Sequence, residues 1–509
     1  MKTLYDIDSI RERVREIIFD GSLTHEQQMM QLAMTAENTL PYPEGTPDNF
    51  EELFDSLQIC DLSEGHAPYC PRYILPDYDL LMEKGCDFLR LTPPTNLFEA
   101  LNTLLIFYRN VPSVTHFPVY MGHIDKLLEP FVTGSENDRQ MIAGFLNCVD
   151  RTFGSSFCQM NLGPEDTKSA RIIFELLPQI NNSIPNMSLC YDPDITPDDY
   201  AEKAIECSLK TANPAFAYDP VYKKDFHGAR YGLASCYNGL PYAGGAFTLS
   251  RVRLNRIAQN SSSLQDFMEH QLPYVVSSLC QFMEAKIRFI CEDIPFFRTH
   301  FLVKEGFIKK DNFVGLFGVV GLHECVNILM QKEGKNYSFG PDAQANRLGV
   351  EIMDRLKELV EQHESAYSPV WNHHFMLHAQ VGAENDDDTS PGARIAIGKE
   401  IDLYDHLRQA GLFHPYFTSG VGDIFPFETT AANNPAAILD VFKGAFKVNM
   451  RYISTYYSDS DLIRVTGFLV KKSEVFAHEA GRQVVNETAG GSVDVLRNKG
   501  ILDRKVRTL

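Results

Sequence analysis

The sequence predicts an α/β fold, a barrel or a wound sheet, on three observations. Apolar helical segments such as residues 97–111 alternate with short strand-like runs, the pattern of helices packed on a sheet. No linker interrupts the chain from about residue 60 onward. The 509 residues would give roughly three units at about 150 residues per domain, but α/β barrels often run larger as single bodies.

Taken in order, residues 1–58 read as a peripheral helical extension. Ile10, Val14, Ile17 and Ile18 fall on one helical face, with Asp8 or Ser9 available as the cap. The stretch Pro41-Tyr42-Pro43-Glu44-Gly45-Thr46-Pro47 ends that region. Strands are predicted at 232–236, 246–252, 313–320 and 462–470. Asn434-Pro435 is a helix start, an N-cap followed by proline at the first helical position. Its helix is expected to run towards Tyr457. The main body would then cover 59–455, leaving 456–509 as a C-terminal segment.

Apolar residues make up 44% and charged residues 22% of the chain, the balance of a soluble globular enzyme. A net charge of −20 argues against a nucleic-acid groove and against an anionic membrane surface. No apolar run approaches the roughly 18 to 20 residues that span a bilayer, and charged helix follows the N-terminus, so a cytoplasmic protein is expected. Eleven cysteines between Cys60 and Cys325, with no Cys-x-x-Cys, read as neither a disulfide framework nor a paired zinc knuckle. The acidic run 384–388 reads as an exposed loop, since it lacks the ligand alternation of a calcium site.

Three stretches can carry chemistry. Gly467 interrupts an apolar run from Leu462 to Val470; such a glycine marks a bulge, a bend or a close backbone approach. The stretch Tyr231-Gly232-Leu233-Ala234-Ser235-Cys236-Tyr237-Asn238-Gly239-Leu240-Pro241 delivers Cys236 into a Gly/Pro-rich loop, with a new strand after Gly245. It is no phosphate loop, for no Gly-Lys-Ser/Thr follows, and no histidine base lies nearby in sequence. Tyr237, Asn238 and Thr248 flank this loop as candidate pocket residues. The third stretch is a buried strand ending in glycine, followed by His323, Glu324 and Cys325 at a helix start. Glu324 is the candidate acid/base, against the alternative that it caps its helix on the dipole; His323 could shuttle or orient. Cys325 and Cys158 read as packing residues. His373, His374 and His378 include an i, i+4 pair but no defined carboxylate partner, so no metal is expected.

In their order along the chain, roughly over residues 60–480, these stretches resemble the glycyl radical enzyme superfamily, and the chain as a whole most resembles the YjjI family within it. The string Arg464-Val465-Thr466-Gly467-Phe468 is similar to the loop that stores the unpaired electron. Weaker similarities lie at 113–131, around Pro185-Asn186-Met187-Ser188-Leu189, and at Phe413-His414-Pro415-Tyr416. The resemblance implies a ten-stranded α/β barrel in whose middle the cysteine and glycyl loops meet. It implies a radical stored on Gly467, a thiyl formed at Cys236, and a separate radical-SAM activating enzyme as partner, with no metal in this chain. A small-molecule substrate and a homodimer follow in the same way.

The departures narrow the reaction. The chain lacks the nucleotide-sensing domain and the C-terminal zinc cysteines of the anaerobic ribonucleotide reductases, the doubled cysteine of pyruvate formate-lyase, and the Gly-Cys-Val-Glu of the dehydratases. Lyase or dehydratase chemistry on a small polar metabolite is the expectation. A compact ribonucleotide reductase-like enzyme and a non-catalytic barrel relative are the alternatives.

Overall fold

Fourteen strands organise the described part of the chain. They are β1 (Ile59–Cys60), β2 (Tyr73–Leu75), β3 (Gln159–Leu162), β4 (Asn186–Tyr191), β5 (Ala215–Tyr218), β6 (Tyr231–Ala234) and β7 (Asn238–Pro241), then β8 (Gly244–Arg253), β9 (Phe313–Val320), β10 (Met376–Ala379), β11 (Asp423–Phe427), β12 (Tyr452–Tyr457), β13 (Leu462–Arg464) and β14 (Leu469–Lys471). The structure is a computed structural model; it describes residues 7–509 except Ser63, Thr115, His116, 381–387, Thr466 and 491–499.

Ten of these strands form two five-stranded sheets. In the first, β8, β9 and β10 run parallel, and β1 and β2 both pair antiparallel with β8. In the second the order is β11-β12-β5-β4-β3, parallel except where β12 meets β5. Helices cross between the parallel neighbours, among them Lys168–Ile180, Asp198–Thr211, Ala343–Glu361 and Pro435–Lys447. Strands covered on both faces read as unbroken apolar runs, and every residue of β9 is buried. The remaining strands form two separate hairpins, β6–β7 and β13–β14. The first packs on β3 of one sheet and on β8 and β9 of the other; the second packs on β12.

Several expectations hold closely. β9 spans Phe313–Val320, and the helix expected at 97–111 runs Leu97–Arg109. Others are corrected. The expected strand 462–470 is a hairpin, because the Val465 N–H donates to Phe468 O (3.0 Å) and turns the chain. The cysteine is on a hairpin tip rather than in an irregular loop: Asn238-Gly239-Leu240-Pro241 reads as turn by composition, yet it pairs throughout with β6. The helix opened by Asn434-Pro435 ends at Lys447, and 452–457, rich in aromatic and β-branched residues, is strand β12. The boundary expected between 455 and 456 therefore falls inside a strand. In the first helix, Ile7–Phe19, only Ile17 is buried and Ile18 is 54% exposed. No helix among the described residues is long and apolar enough to cross a membrane. Of the acidic run, 384–387 lies outside the described residues, and Asp388 pairs with Arg256 (3.0 Å).

Candidate active site

Cys236 owes its position to the β6–β7 hairpin. Its last pair, Ala234↔Asn238, leaves Ser235-Cys236-Tyr237 as the tip. Ser235 takes a left-handed conformation (φ 61°), unfavourable for a residue with a Cβ, and its N–H donates to Val119 O (3.0 Å). Behind the tip, the Asn161 side-chain amide accepts from Leu233 N–H (2.8 Å) and donates to Leu233 O (2.9 Å), a mock strand pairing that fixes the hairpin to β3.

Gly467 lies on the other tip. Arg464↔Leu469 is the last pair of β13–β14. Phe468 packs edge-on against Phe157 (5.7 Å), and the Ser156 hydroxyl donates to Leu469 O (2.5 Å).

The two tips touch. A Cβ built on Gly467 would lie 2.9 Å from Cys236 Cβ and 3.0 Å from Tyr237 Cε1. The backbone of Gly467 is not left-handed, so space rather than φ demands glycine here. Of the three readings open for this glycine, bulge, bend or close approach, the structure shows a close approach at the tip of a turn.

Three residues with no assigned role in the sequence reading hold the tips together. Asn186 on β4 faces its Nδ2 to Ser235 O (3.5 Å), Cys236 O (3.4 Å) and Gly467 O (3.4 Å). Arg464, fully buried, donates to Ala212 O through Nε (3.0 Å) and Nη2 (2.8 Å) and to Gly467 O through Nη1 (3.1 Å). Arg504, from the C-terminal tail, donates to Arg464 O (2.8 Å) and Val465 O (2.5 Å). Arginine inside the apolar run Leu462-Ile463-Arg464-Val465 was the signal available for one of these. Asn186 carried no such signal.

Burial pushes the Cys236 thiol up to about 11, with the Ser235 hydroxyl and the guanidiniums of Arg464, Arg394 and Arg72 pulling it partly back. The group is thus a protonated S–H at neutral pH, a hydrogen donor rather than a thiolate nucleophile. Alkylation of Cys236 by iodoacetamide is accordingly expected to accelerate about tenfold per pH unit from pH 8 and to level off near pH 11. A rate already flat at pH 8, read by peptide mass spectrometry, would contradict a protonated thiol.

Tyr237 completes the contact. Its hydroxyl donates to Ala379 O at the end of β10, and its ring lies against His378 (5.6 Å) and Tyr452 (5.4 Å). The Tyr452 hydroxyl donates to Cys236 O (3.4 Å). Asn238 donates to Ala234 O (3.1 Å), and its buried Oδ1 has no described partner.

The other predicted residues are engaged elsewhere. The Thr248 hydroxyl donates to Glu64, which also pairs with Lys286 (2.8 Å) and Arg72 (3.3 Å). His323 accepts from Ala396 N–H (3.4 Å) and packs edge-on to Phe339 (5.7 Å); burial pushes its pKa down to about 4, so the ring is neutral. The Glu324 carboxylate accepts from both the N–H (2.9 Å) and the hydroxyl (2.5 Å) of Ser390. Cys158 and Cys325 are buried among apolar side chains. His373 and His374 face the carbonyls of Ser365 (3.1 Å) and His363 (3.2 Å), while His378 stands beside Tyr237. Among the described residues no group of three or more His, Cys, Asp or Glu could hold a metal ion.

The chain is similar in sequence and in fold to known proteins. The sequence model of the family described as "Glycyl radical enzyme YjjI-like" matches residues 23–507. An uncharacterized protein of Haemophilus influenzae is 43% identical over 494 residues, which cover 96% of each chain. In structure, the chain is similar to a glycyl radical enzyme from Archaeoglobus fulgidus (TM-score 0.68, 11% identity, 91% of this chain and 83% of that one). It is also similar to the hydroxyproline dehydratase of Clostridioides difficile, solved with trans-4-hydroxy-L-proline bound (TM-score 0.66, 10% identity, 98% and 88%). At such identities the likeness is one of fold, and that fold is the glycyl radical enzyme type expected from the motifs. With a family match over nearly the whole length, the chain belongs to the YjjI-like glycyl radical enzymes.

Proposed function

We propose that Gly467 stores an organic radical and that Cys236 uses it to attack a small polar metabolite. The observation that carries this reading is the 2.9 Å approach of Cys236 Cβ to the position a Cβ would take on Gly467. An S–H bond and a glycyl Cα–H bond are close in strength, so one hydrogen atom passes from Cys236 to the Gly467 radical nearly without cost. The S–H bond breaks, the Cα–H bond forms, and the unpaired electron ends on sulfur. The thiyl then takes a hydrogen atom from a substrate carbon and returns it after rearrangement. A buried, protonated thiol suits that exchange. Tyr237, packed beside His378, and Asn238 follow the thiol on its hairpin and are the residues proposed to meet the substrate there.

A separate radical-SAM enzyme installs the radical in this reading, its reductively cleaved cofactor taking the hydrogen atom from Gly467. Elimination or bond cleavage of the lyase or dehydratase type is the favoured outcome, supported by the dehydratase among the fold's neighbours. Glu324 acts as a positioning residue, ordering Ser390 rather than exchanging protons at the thiol.

The test is anaerobic co-expression with the activating enzyme, electron paramagnetic resonance, then exposure to air and a denaturing gel. The expected result is a glycyl doublet and oxygen cleavage at Gly467 that releases residues 468–509, both absent in Gly467→Ala. An activase competent on another target but giving neither signal here would leave the chain a non-catalytic relative.

A further inference from the structure

Three guanidiniums lie close enough to act on Cys236, and they differ in what they are paired with. Arg464 is committed to the carbonyls of Ala212 and Gly467 and to Asn213 Oδ1 (3.3 Å). Arg72 is paired with Glu64 (3.3 Å), which it shares with Lys286 (2.8 Å). Arg394 is engaged on one edge only. It is 6% exposed, donates through Nε to Val421 O (2.7 Å) and through Nη2 to Tyr237 Oη (3.4 Å), and has no carboxylate partner among the described residues. Its Nη1 donates to none of them.

The one described carboxylate that acts on Arg394, Asp423, forms no direct pair with it and also faces His406 (3.7 Å) and His414 (3.8 Å), so the open edge of the guanidinium can still take an anion that arrives from outside. The surroundings of Arg394 are built to keep it in place. Its Cζ lies 5.8 Å from the centre of the Tyr237 ring, the ring that also touches Gly467. Gly422 has φ +66°, and a Cβ there would come within 2.6 Å of the Tyr237 ring and 2.7 Å of Arg394 Nη2. Only glycine therefore admits both side chains. On the other side, Arg394 N–H donates to Pro391 O (3.1 Å), in the turn that Glu324 anchors through Ser390. His378, beside Tyr237, is held neutral by burial and by Arg72 and Arg394, so it adds no competing charge.

We infer that Arg394 is the substrate-binding residue for a monocarboxylate, gripping the carboxylate of a small acid so that a neighbouring C–H bond faces Cys236. A single guanidinium with an open Nη1 edge matches a planar carboxylate through paired N–H donors. A phosphate dianion would call for a second free cation, and Arg72 and Arg464 are already engaged. The inference rests on the reading of Cys236 as the hydrogen-abstracting thiol.

The test needs neither the radical nor the natural substrate. Iodoacetate and iodoacetamide alkylate thiols alike, forming S–C and releasing iodide, but only iodoacetate carries a carboxylate. Their rate ratio at Cys236, read by peptide mass spectrometry at pH 8.5 against exposed Cys148 in the same chain, reports whether an anion is drawn to the thiol. The expected ratio at Cys236 is about tenfold above that at Cys148. It falls to the Cys148 value in Arg394→Gln and is partly restored in Arg394→Lys. Equal ratios in the native protein, or an unchanged ratio in Arg394→Gln, overturn the assignment.

Thermal-shift titration of the native protein with propionate, propionamide and inorganic phosphate gives a second reading that needs no variant to fold and no reagent to reach the thiol. Stabilisation by propionate alone supports the inference; no propionate effect, or a phosphate effect as large, overturns it. The two readings also fail separately. A missing glycyl doublet removes the radical assignment and leaves the anion measurements standing. A doublet of native intensity in Arg394→Gln, with the anion preference lost, places Arg394 at substrate binding rather than at radical storage.

Discussion

In Cys236→Ala, the activated protein is expected to keep its glycyl doublet while turnover falls by about 10⁴-fold or more. Gly467 and its supports, Asn186 and Arg464, do not depend on the sulfur, so the radical can still be installed. What disappears is the S–H of the side chain that lies against Gly467. Deuterium makes the loss visible. In heavy water the native S–H becomes S–D, each reversible transfer returns deuterium to Gly467, and the doublet collapses towards a singlet as the α-hydrogen coupling is lost. In Cys236→Ala the doublet keeps its splitting in heavy water. Cys236→Ser is expected to behave like alanine, because an alcohol O–H bond is too strong to give up its hydrogen to a glycyl radical. Collapse of the doublet in Cys236→Ala would mean that some other group exchanges with Gly467, and the pairing of these two residues would be wrong.

The second large effect belongs to Arg464. Its guanidinium is fully buried and supplies the donors for Ala212 O and one of the donors for Gly467 O. Arg464→Met keeps much of the side-chain volume but removes both donors to Ala212 O and the shorter of the two to Gly467 O. Removing one member of a buried charged network costs about 3–5 kcal/mol. The expected result is destabilisation of that order in denaturant titration, together with a weak doublet after activation, because the Gly467 carbonyl then keeps only the longer contact from Asn186 (3.4 Å). Arg504→Ala, which removes donors to Arg464 O and Val465 O from the tail side, is expected to cost about 1–3 kcal/mol. An Arg464→Met protein within about 1 kcal/mol of the native one, with full doublet intensity, would show that Asn186 alone positions the glycine.

The two tips were legible in the sequence because each breaks a local rule. Gly467 sits where an apolar strand would put a side chain, and Cys236 sits between a strand and a Gly/Pro-rich stretch. β9 and the helix at Leu97–Arg109 were legible for the opposite reason: long, regular patterns of burial leave a clear mark on composition. The turns were harder. Neither hairpin was read as such, since the pairing that makes β7 a strand comes from β6 and not from its own Asn-Gly-Leu-Pro composition.

What the residues alone determined is thus which two positions to bring together, a cysteine and a glycine whose side chain, or lack of one, suits the relay proposed for them. What only the tertiary structure decided is how that chemistry is held and aimed. Asn186 reaches Gly467 across 281 residues of chain and Arg394 reaches Tyr237 across 157. Glu324, the candidate acid/base at a helix start, accepts from Ser390, 66 residues away. Periodicity and propensity act over a few neighbours, whereas a hydrogen bond between distant segments exists only once the sheets have packed. The residues that place Gly467 against Cys236, and the cation beside them, therefore had to be found in three dimensions.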